Sequence, residues 1–185
     1  MQFRDLTADD IEVRVQSVKE KGLVLLLYKN ARVDMNILDE TVKPENWERE
    51  HYECKGNLYC SVRINVNYDK PGVEPVWVSK SDCGSESNTE AEKGEASDSF
   101  KRACVNWGIG RELYTAPFIW VTADKCNINQ YEKNGKKHYD CKDKFVVEKV
   151  KIENKRIVAI SILNMSKTGD KGAPVRAFIL FEQVA

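Results

Sequence analysis

Several features that define common protein classes are missing from this sequence of 185 residues. The apolar stretch from Leu23 to Leu27 is only five residues long. A membrane-spanning helix needs about 20 such residues, so we expect no membrane span and no membrane partner. The first ten residues, MQFRDLTADD, contain no apolar segment of the kind found in secretory signals, and we therefore expect no export.

Motifs of common enzymes are also absent. The sequence contains no GxSxG, P-loop, HExxH or GxGxxG motif, and it has only two histidines, His51 and His138. His51 with Cys54 is an alternative nucleophilic pair, although a pair without a third orienting group is more typical of coincidence. The sequence therefore predicts a protein that is not an enzyme and that carries no cofactor.

The six cysteines form no CxxC pair. Without a secretory signal, this pattern predicts reduced thiols and a cytoplasmic protein. Cys126, His138 and Cys141 are the best metal-like cluster, but zinc needs a fourth ligand and usually a tighter first pair. The alternative is that these three residues are scattered over a hairpin, and the sequence assigns no metal site.

Charge is balanced overall but divided along the chain. The 29 basic residues equal the 29 acidic ones. Residues 1–100 hold 13 basic and 20 acidic residues, whereas residues 101–185 hold 16 basic and 9 acidic residues. This asymmetry predicts an anionic partner or self-association of opposite patches, and the alternative is charge that is merely solvated.

The residue patterns predict an α+β fold, in which an antiparallel β-meander packs against helices and a β-rich extension follows. Two domains are expected, a core over residues 1–120 and an extension over 121–185 that packs on the same domain. The predicted helices cover residues 8–18, residues 31–42 and a stretch that runs from Thr89 or Ala91 to Trp107. The first of them is predicted from the start signal Thr7-Ala-Asp-Asp. The predicted strands cover residues 23–28, 47–54, 58–68, 76–81, 117–123, 144–153, 156–164 and 175–184, with a hairpin over 131–139 around Asn134-Gly135. Residues 82–95 and 166–174 are expected to be loops.

The predicted helix over residues 91–107 carries an apolar stripe and a basic pair. Its stripe, which recurs at helical spacing, consists of Ala96, Phe100, Ala103, Cys104 and Trp107. Lys101 and Arg102 point away from this stripe, and Arg111 follows in a Gly-x-Gly turn. Basic groups near aromatic residues are typical of single-stranded nucleic acid binding. The alternative is a solvated helix face, and for Trp107 we favour core packing.

Two segments resemble the Rad-fifty-two-like single-strand DNA annealing proteins, including their phage recombinase relatives. The first is Asp98-Ser-Phe-Lys-Arg-Ala-Cys-Val-Asn-Trp-Gly108, and the second is the helix from Ala31 to Val42 with Asn46-Trp47 after it. Together with the meander between them, they cover residues 8–115. This sequence departs from the family at Val105 and Asn106, where eukaryotic members carry a third basic residue; Arg111 is a possible substitute.

The resemblance implies a protein that binds single-stranded DNA and anneals it without ATP, in homologous or phage recombination. It implies that Lys101, Arg102 and Arg32, with Arg111 in addition, contact DNA phosphates. It also implies a homo-oligomeric ring or filament in the cytoplasm of a bacterium or phage-infected host, with a single-strand-binding protein or an exonuclease as further candidate partners. The alternative function is an oligomeric protein-interaction adaptor on the same fold.

Overall fold

Two α-helices and eleven β-strands lie in the part of the chain that the structure describes. The computed structural model describes residues 1–84, 91–169 and 172–181, and for residues 91–93 it describes the backbone alone. The helices are α1 (Ala31–Val42) and α2 (Ala91–Trp107). The strands are β1 (Glu12–Lys19), β2 (Gly22–Tyr28), β3 (Trp47–Cys54), β4 (Asn57–Asn65), β5 (Trp77–Cys83), β6 (Ile119–Thr122), β7 (Asn129–Lys133), β8 (Lys136–Asp140), β9 (Phe145–Glu153), β10 (Arg156–Thr168) and β11 (Pro174–Phe181).

The chain divides into two units whose segments interleave. The first unit comprises Met1–Asp5 and Asn30–Arg111, and the second comprises Leu6–Lys29 with the described residues from Glu112 onward. The units therefore do not follow the expected division at residue 120, because β1 and β2 belong with the strands of the last third. Whether residues 1–120 act as the annealing core stays a prediction.

The first unit is built on a three-stranded antiparallel meander in the order β3-β4-β5. On one face of β4, the side chains of Cys60, Val62 and Ile64 are fully buried. Helix α2 covers this face, and its Phe100 ring lies 6.2 Å from that of Trp47. The predicted apolar stripe thus packs on the sheet, since alternate side chains of a strand point to one face.

The second unit contains a six-stranded antiparallel sheet in the order β11-β10-β9-β1-β2-β6. Strands β11 and β6 end this order yet contact each other, so the sheet curls on itself. Gly22 permits a close strand approach, because an added Cβ atom would lie 2.3 Å from the Val121 carbonyl oxygen. The buried Glu112 joins this unit's first segment to its last, since its Oε1 accepts the Leu6 N–H at 2.7 Å.

The predicted helix over residues 8–18 is wrong. Its start signal yields only a single 3₁₀ turn at Ala8–Asp10, where Asp10 Oδ2 accepts hydrogen bonds from Thr7 N and Oγ1 at 2.8 and 2.9 Å. The chain then enters β1, which pairs with β2 over nearly its whole length. The alternating valines of β1 suit a strand, and pairing in the sheet overrides the weak local helix signal.

The remaining element predictions agree with the structure to within a few residues, apart from parts that fall outside the described residues. Residues 85–90 of the predicted acidic loop, residues 170–171 of the second loop and the end of the last strand are among those parts. Strand β10 extends to Thr168, which is farther than expected. In the described ranges, no helix combines the length and apolar character that crossing a membrane requires.

Candidate nucleic-acid groove

The first unit contains a cleft of about 400 Å³ where the first turn of α1, strand β3 and the first half of α2 meet. Its lining consists of Asn30, Ala31, Arg32, Met35, Arg49, His51, Ala96 and Ser97. Two arginines and one histidine contribute to this lining, and none of the described residues that line it is acidic. The cleft therefore offers a surface to which an anion can bind.

Arg32 reaches the cleft from the first turn of α1. Asn30 caps this helix, and its Oδ1 accepts the backbone N–H of Arg32 at 2.9 Å. The Arg32 side chain is exposed. A helix N-terminus carries a partial positive charge that adds to the attraction of a nearby arginine for anions.

Arg49 enters the cleft from β3, and the sequence analysis did not identify it. Its guanidinium carbon lies 4.7 Å from the centroid of the Phe100 ring, which holds it by a cation–π contact. Two residues further along, His51 Nε2 donates to the Ala96 carbonyl oxygen at 3.0 Å. The alternation of Trp47, Arg49 and His51 along the strand indicates that these three side chains share one face. The structure shows that α2 covers this face.

The side chains of Lys101 and Arg102 leave α2 in different directions. Lys101 lies one helical turn after Ser97, which lines the cleft, so it extends the basic surface on that side of α2. Arg102 is exposed, and its Nε lies 3.4 Å from Asp82 Oδ1 on β5. Both side chains avoid the buried stripe as predicted, but the ion pair with Asp82 draws Arg102 toward the opposite side of the meander.

Arg111 stabilises the end of α2. Its Nε donates to the Val105 carbonyl oxygen at 2.9 Å, and its Nη2 donates to that of Asn106 at 3.0 Å. The last carbonyls of a helix lack partners within the helix. Arg111 binds two of them, beside Gly108 N at the Val105 carbonyl and Lys80 Nζ at the Asn106 carbonyl. The chain can turn here because Gly108 adopts a positive φ of 101°.

Arg111→Ala is expected to lower the free energy of unfolding by about 1–3 kcal/mol, since hydrogen bonds to a charged donor contribute about that much. Thermal or urea unfolding measures the change, with Lys70→Ala in an exposed loop as the matched loss of one positive charge. Unchanged stability together with weaker DNA binding would restore Arg111 to the group of phosphate contacts.

The aromatic residues that lie near Arg111 in the sequence divide between packing and exposure. Trp107 packs on the meander, where its Nε1 donates to the Val62 carbonyl oxygen at 3.0 Å and Lys80 Nζ lies 4.5 Å from its ring centroid. This agrees with core packing for Trp107. Tyr114 and Phe118 are 69% and 74% exposed, and they lie in the second unit.

Cys126 and Cys141, the two cysteines of the metal-like cluster, have the properties of packed thiols. Burial raises the pKa of Cys126 to about 11 and also raises that of Cys141, so both thiols stay protonated near neutral pH. His138 stacks on Tyr131 with ring centroids 5.4 Å apart. The described ranges contain no group of three potential metal ligands. His51 and Cys54 lie on opposite faces of β3, which does not suit a catalytic pair.

A relative of this chain is the single-stranded DNA-binding protein DdrA of Deinococcus radiodurans. The two are 32% identical over 103 residues, which cover 55% of this chain and 46% of the relative. The match thus spans about half the length of the relative. No solved structure matches the chain.

The family comparison covers more of the sequence. A model described as the Rad52/22 family of double-strand break repair proteins matches residues 3–133. This range includes α1, the meander, α2 and all the residues that line the cleft. The chain belongs to the Rad52/22 family of double-strand break repair proteins.

Proposed function

We propose that this protein binds single-stranded DNA along the cleft of its first unit and anneals it to a complementary strand without consuming ATP. The observation that carries the proposal is the cleft with Arg32, Arg49 and His51 in its lining and Lys101 one turn beyond it. The relative from Deinococcus radiodurans, named as a single-stranded DNA-binding protein, supports the same ligand. Base pairing supplies the driving force, so no catalytic group is needed.

Each basic residue has a distinct part in this proposal. Arg32 and Lys101 contact phosphates directly, because their side chains extend from helices at the cleft and beside it. Arg49 is held against Phe100 and offers a fixed charge in the cleft. Arg102 adds a contact when it leaves Asp82, and Arg111 serves mainly as a helix cap. A single phosphate contact is weak and depends on salt.

A homo-oligomer would make these contacts effective. Copies arranged in a ring or filament would place one cleft after another along a strand, and linked weak sites bind far more tightly than separate ones. We therefore propose self-association, with the cell's recombination machinery as the setting. A phage or prophage origin and a cytoplasmic location remain parts of this proposal.

The direct test mixes the purified protein with two complementary oligonucleotides, one of which quenches the other on pairing. Without nucleotide, we expect annealing to be faster than the spontaneous reaction and to slow as salt rises from about 50 to 200 mM. The control is the same mixture with noncomplementary strands. If the protein neither accelerates annealing nor binds single strands, the annealing function is wrong and the adaptor function takes its place.

A further inference from the structure

The hairpin formed by β7 and β8 is exposed on both of its faces through most of its length. In the described part of the chain, its two strands hydrogen-bond only with each other, and the part-buried second half of β8 packs near β1. A two-stranded hairpin is marginally stable in water by itself, and the exposed tip around Lys133 and Lys136 gains little from burial. Its turn requires positive φ at both central residues, and Asn134 and Gly135 adopt φ values of 54° and 69°. Asn-Gly is the residue pair that favours this geometry.

The base of the hairpin is held by a polar cluster. Asp143 accepts hydrogen bonds from Asn127 N at 2.8 Å, from Asn127 Nδ2 at 3.0 Å and from the buried Asn164 Nδ2 at 2.7 Å. Asn164 Nδ2 also donates to the Lys125 carbonyl oxygen at 3.0 Å. The chain thus enters and leaves the hairpin from a fixed position on the second unit, while its tip from Tyr131 to Lys137 is exposed to solvent.

The two faces of the hairpin differ in charge. One face carries Lys133 opposite Lys136 at the tip, then Tyr131 opposite His138, and Asn129 opposite Asp140 at the base. Its one acid therefore lies at the far end from the two lysines, and one oxygen of that acid, Oδ1, is buried. The other face pairs Glu132 with Lys137, whose charges cancel. Like charges placed directly opposite each other destabilise a hairpin, so the lysine pair at the exposed tip costs stability that an anionic ligand would restore.

The same face also offers an aromatic surface. The ring of Tyr131 stacks on His138, and the tyrosine is still 45% exposed. Two lysines beside a stacked and partly open ring combine phosphate attraction with a platform for a base. An acidic protein surface would use the lysines but would have no need of the ring.

We propose that the Tyr131, Lys133, Lys136 and His138 face of this hairpin is a second contact for single-stranded nucleic acid, separate from the cleft. The two lysines hold the backbone, and the Tyr131 ring stacks on a base. The inference extends the proposed function to the second unit, and it rests on that function only for the choice of ligand.

The test measures binding of a fluorescent oligothymidylate by anisotropy over a salt series. Lys133→Gln with Lys136→Gln should reduce the slope of log K against log salt by about 1.4, at about 0.7 per lost contact, which is roughly 25-fold in affinity at 0.1 M salt. The matched comparison is Lys136→Gln against Lys137→Gln. Each removes one charge at neighbouring positions, but only the first lies on the proposed face, so only the first should change the slope.

Folding and contact are checked separately. The double variant should melt at the wild-type temperature or above it, because a repulsive pair has been removed. Oligothymidylate containing 5-iodouracil, irradiated on the wild-type protein, should form an adduct at Tyr131 that mass spectrometry locates and that Tyr131→Leu abolishes.

The outcomes separate this proposal from that of the cleft. If wild-type protein binds the oligonucleotide, and the hairpin variants keep its slope and give no adduct at Tyr131, the hairpin proposal alone is wrong. Loss of self-association in those variants, with unchanged DNA binding, would instead show that this face binds an acidic surface on another copy of the protein. If wild-type protein binds no single strand, both proposals fail. If variants of Arg32 and Lys101 bind the oligonucleotide normally while the hairpin variants do not, the hairpin proposal is kept and the cleft proposal is wrong.

Discussion

Lys101→Ala combined with Arg102→Ala is expected to weaken binding of single-stranded DNA by about 25-fold at 0.1 M salt. Each lost phosphate contact removes about 0.7 from the salt slope on a single strand, and in an oligomer the loss recurs in every copy. Folding should be unaffected, because neither side chain belongs to the buried stripe of Phe100, Ala103 and Cys104. Anisotropy over a salt series measures the binding, and thermal unfolding checks the fold.

The single variants make this expectation sharper. Lys101 lies on the cleft side of α2, whereas Arg102 pairs with Asp82 on β5. Lys101→Ala should therefore account for most of the loss, and Arg102→Ala for the smaller part. Arg32→Ala, at the opposite wall of the cleft, should resemble Lys101→Ala. Lys70→Ala is the control, since it removes one positive charge from an exposed loop.

A double variant that binds and anneals like wild type would remove this pair from the DNA contacts. A larger effect of Arg102 than of Lys101 would show that DNA runs along the β5 side of α2 rather than along the cleft. Each result changes a different part of the proposal, because the first concerns the basic pair and the second concerns the path of the strand.

Phe100→Ala is expected to lower the free energy of unfolding by about 3–5 kcal/mol, the usual cost of removing a fully buried phenyl ring. The ring is 0% exposed and packs between Trp47 and the guanidinium of Arg49. A loss of this size is a large part of the stability of an ordinary domain. Urea or thermal unfolding measures it, and Tyr114→Ala, at an exposed ring, should change stability little.

Phe100→Leu separates packing from the cation–π contact. Leucine fills most of the space but cannot attract the Arg49 guanidinium through a ring. We expect a smaller loss of stability than with alanine, and weaker DNA binding because Arg49 is no longer fixed in the cleft. A mild effect of Phe100→Ala would contradict the packing of α2 on the meander.

Much of the fold follows from local patterns. Helix α1 was predicted at its observed bounds, because Val33, Ile37, Leu38 and Val42 recur at helical spacing and Pro44 follows. The hairpin at Asn134-Gly135 was equally clear, since few residues other than these tolerate its turn geometry. Residues 8–18 were misassigned because a helix-start signal is a property of one turn, whereas strand pairing depends on distant residues.

The candidate site was predicted only in part. Lys101, Arg102 and Arg32 were identified from their resemblance to family motifs, and the structure places Arg32 in the cleft with Lys101 one turn beyond it. Arg49 was missed because nothing in the local sequence shows that α2 will cover its strand. The assignment of Arg111 to DNA stays a prediction, and its capping of α2 was missed because the reach of a side chain to backbone carbonyls cannot be read from spacing.

The sequence by itself determined α1 and α2, most of the strands, the basic pair outside the buried stripe and the division of charge, because each depends on periodicity or composition over a short range. Only the tertiary structure decided that β1 and β2 join the sheet of the last third, that Arg49 enters the cleft, and that Asp82 holds Arg102. The physical reason is that these contacts join residues far apart in the chain, and their partners come within a few ångströms only when the sheets have formed.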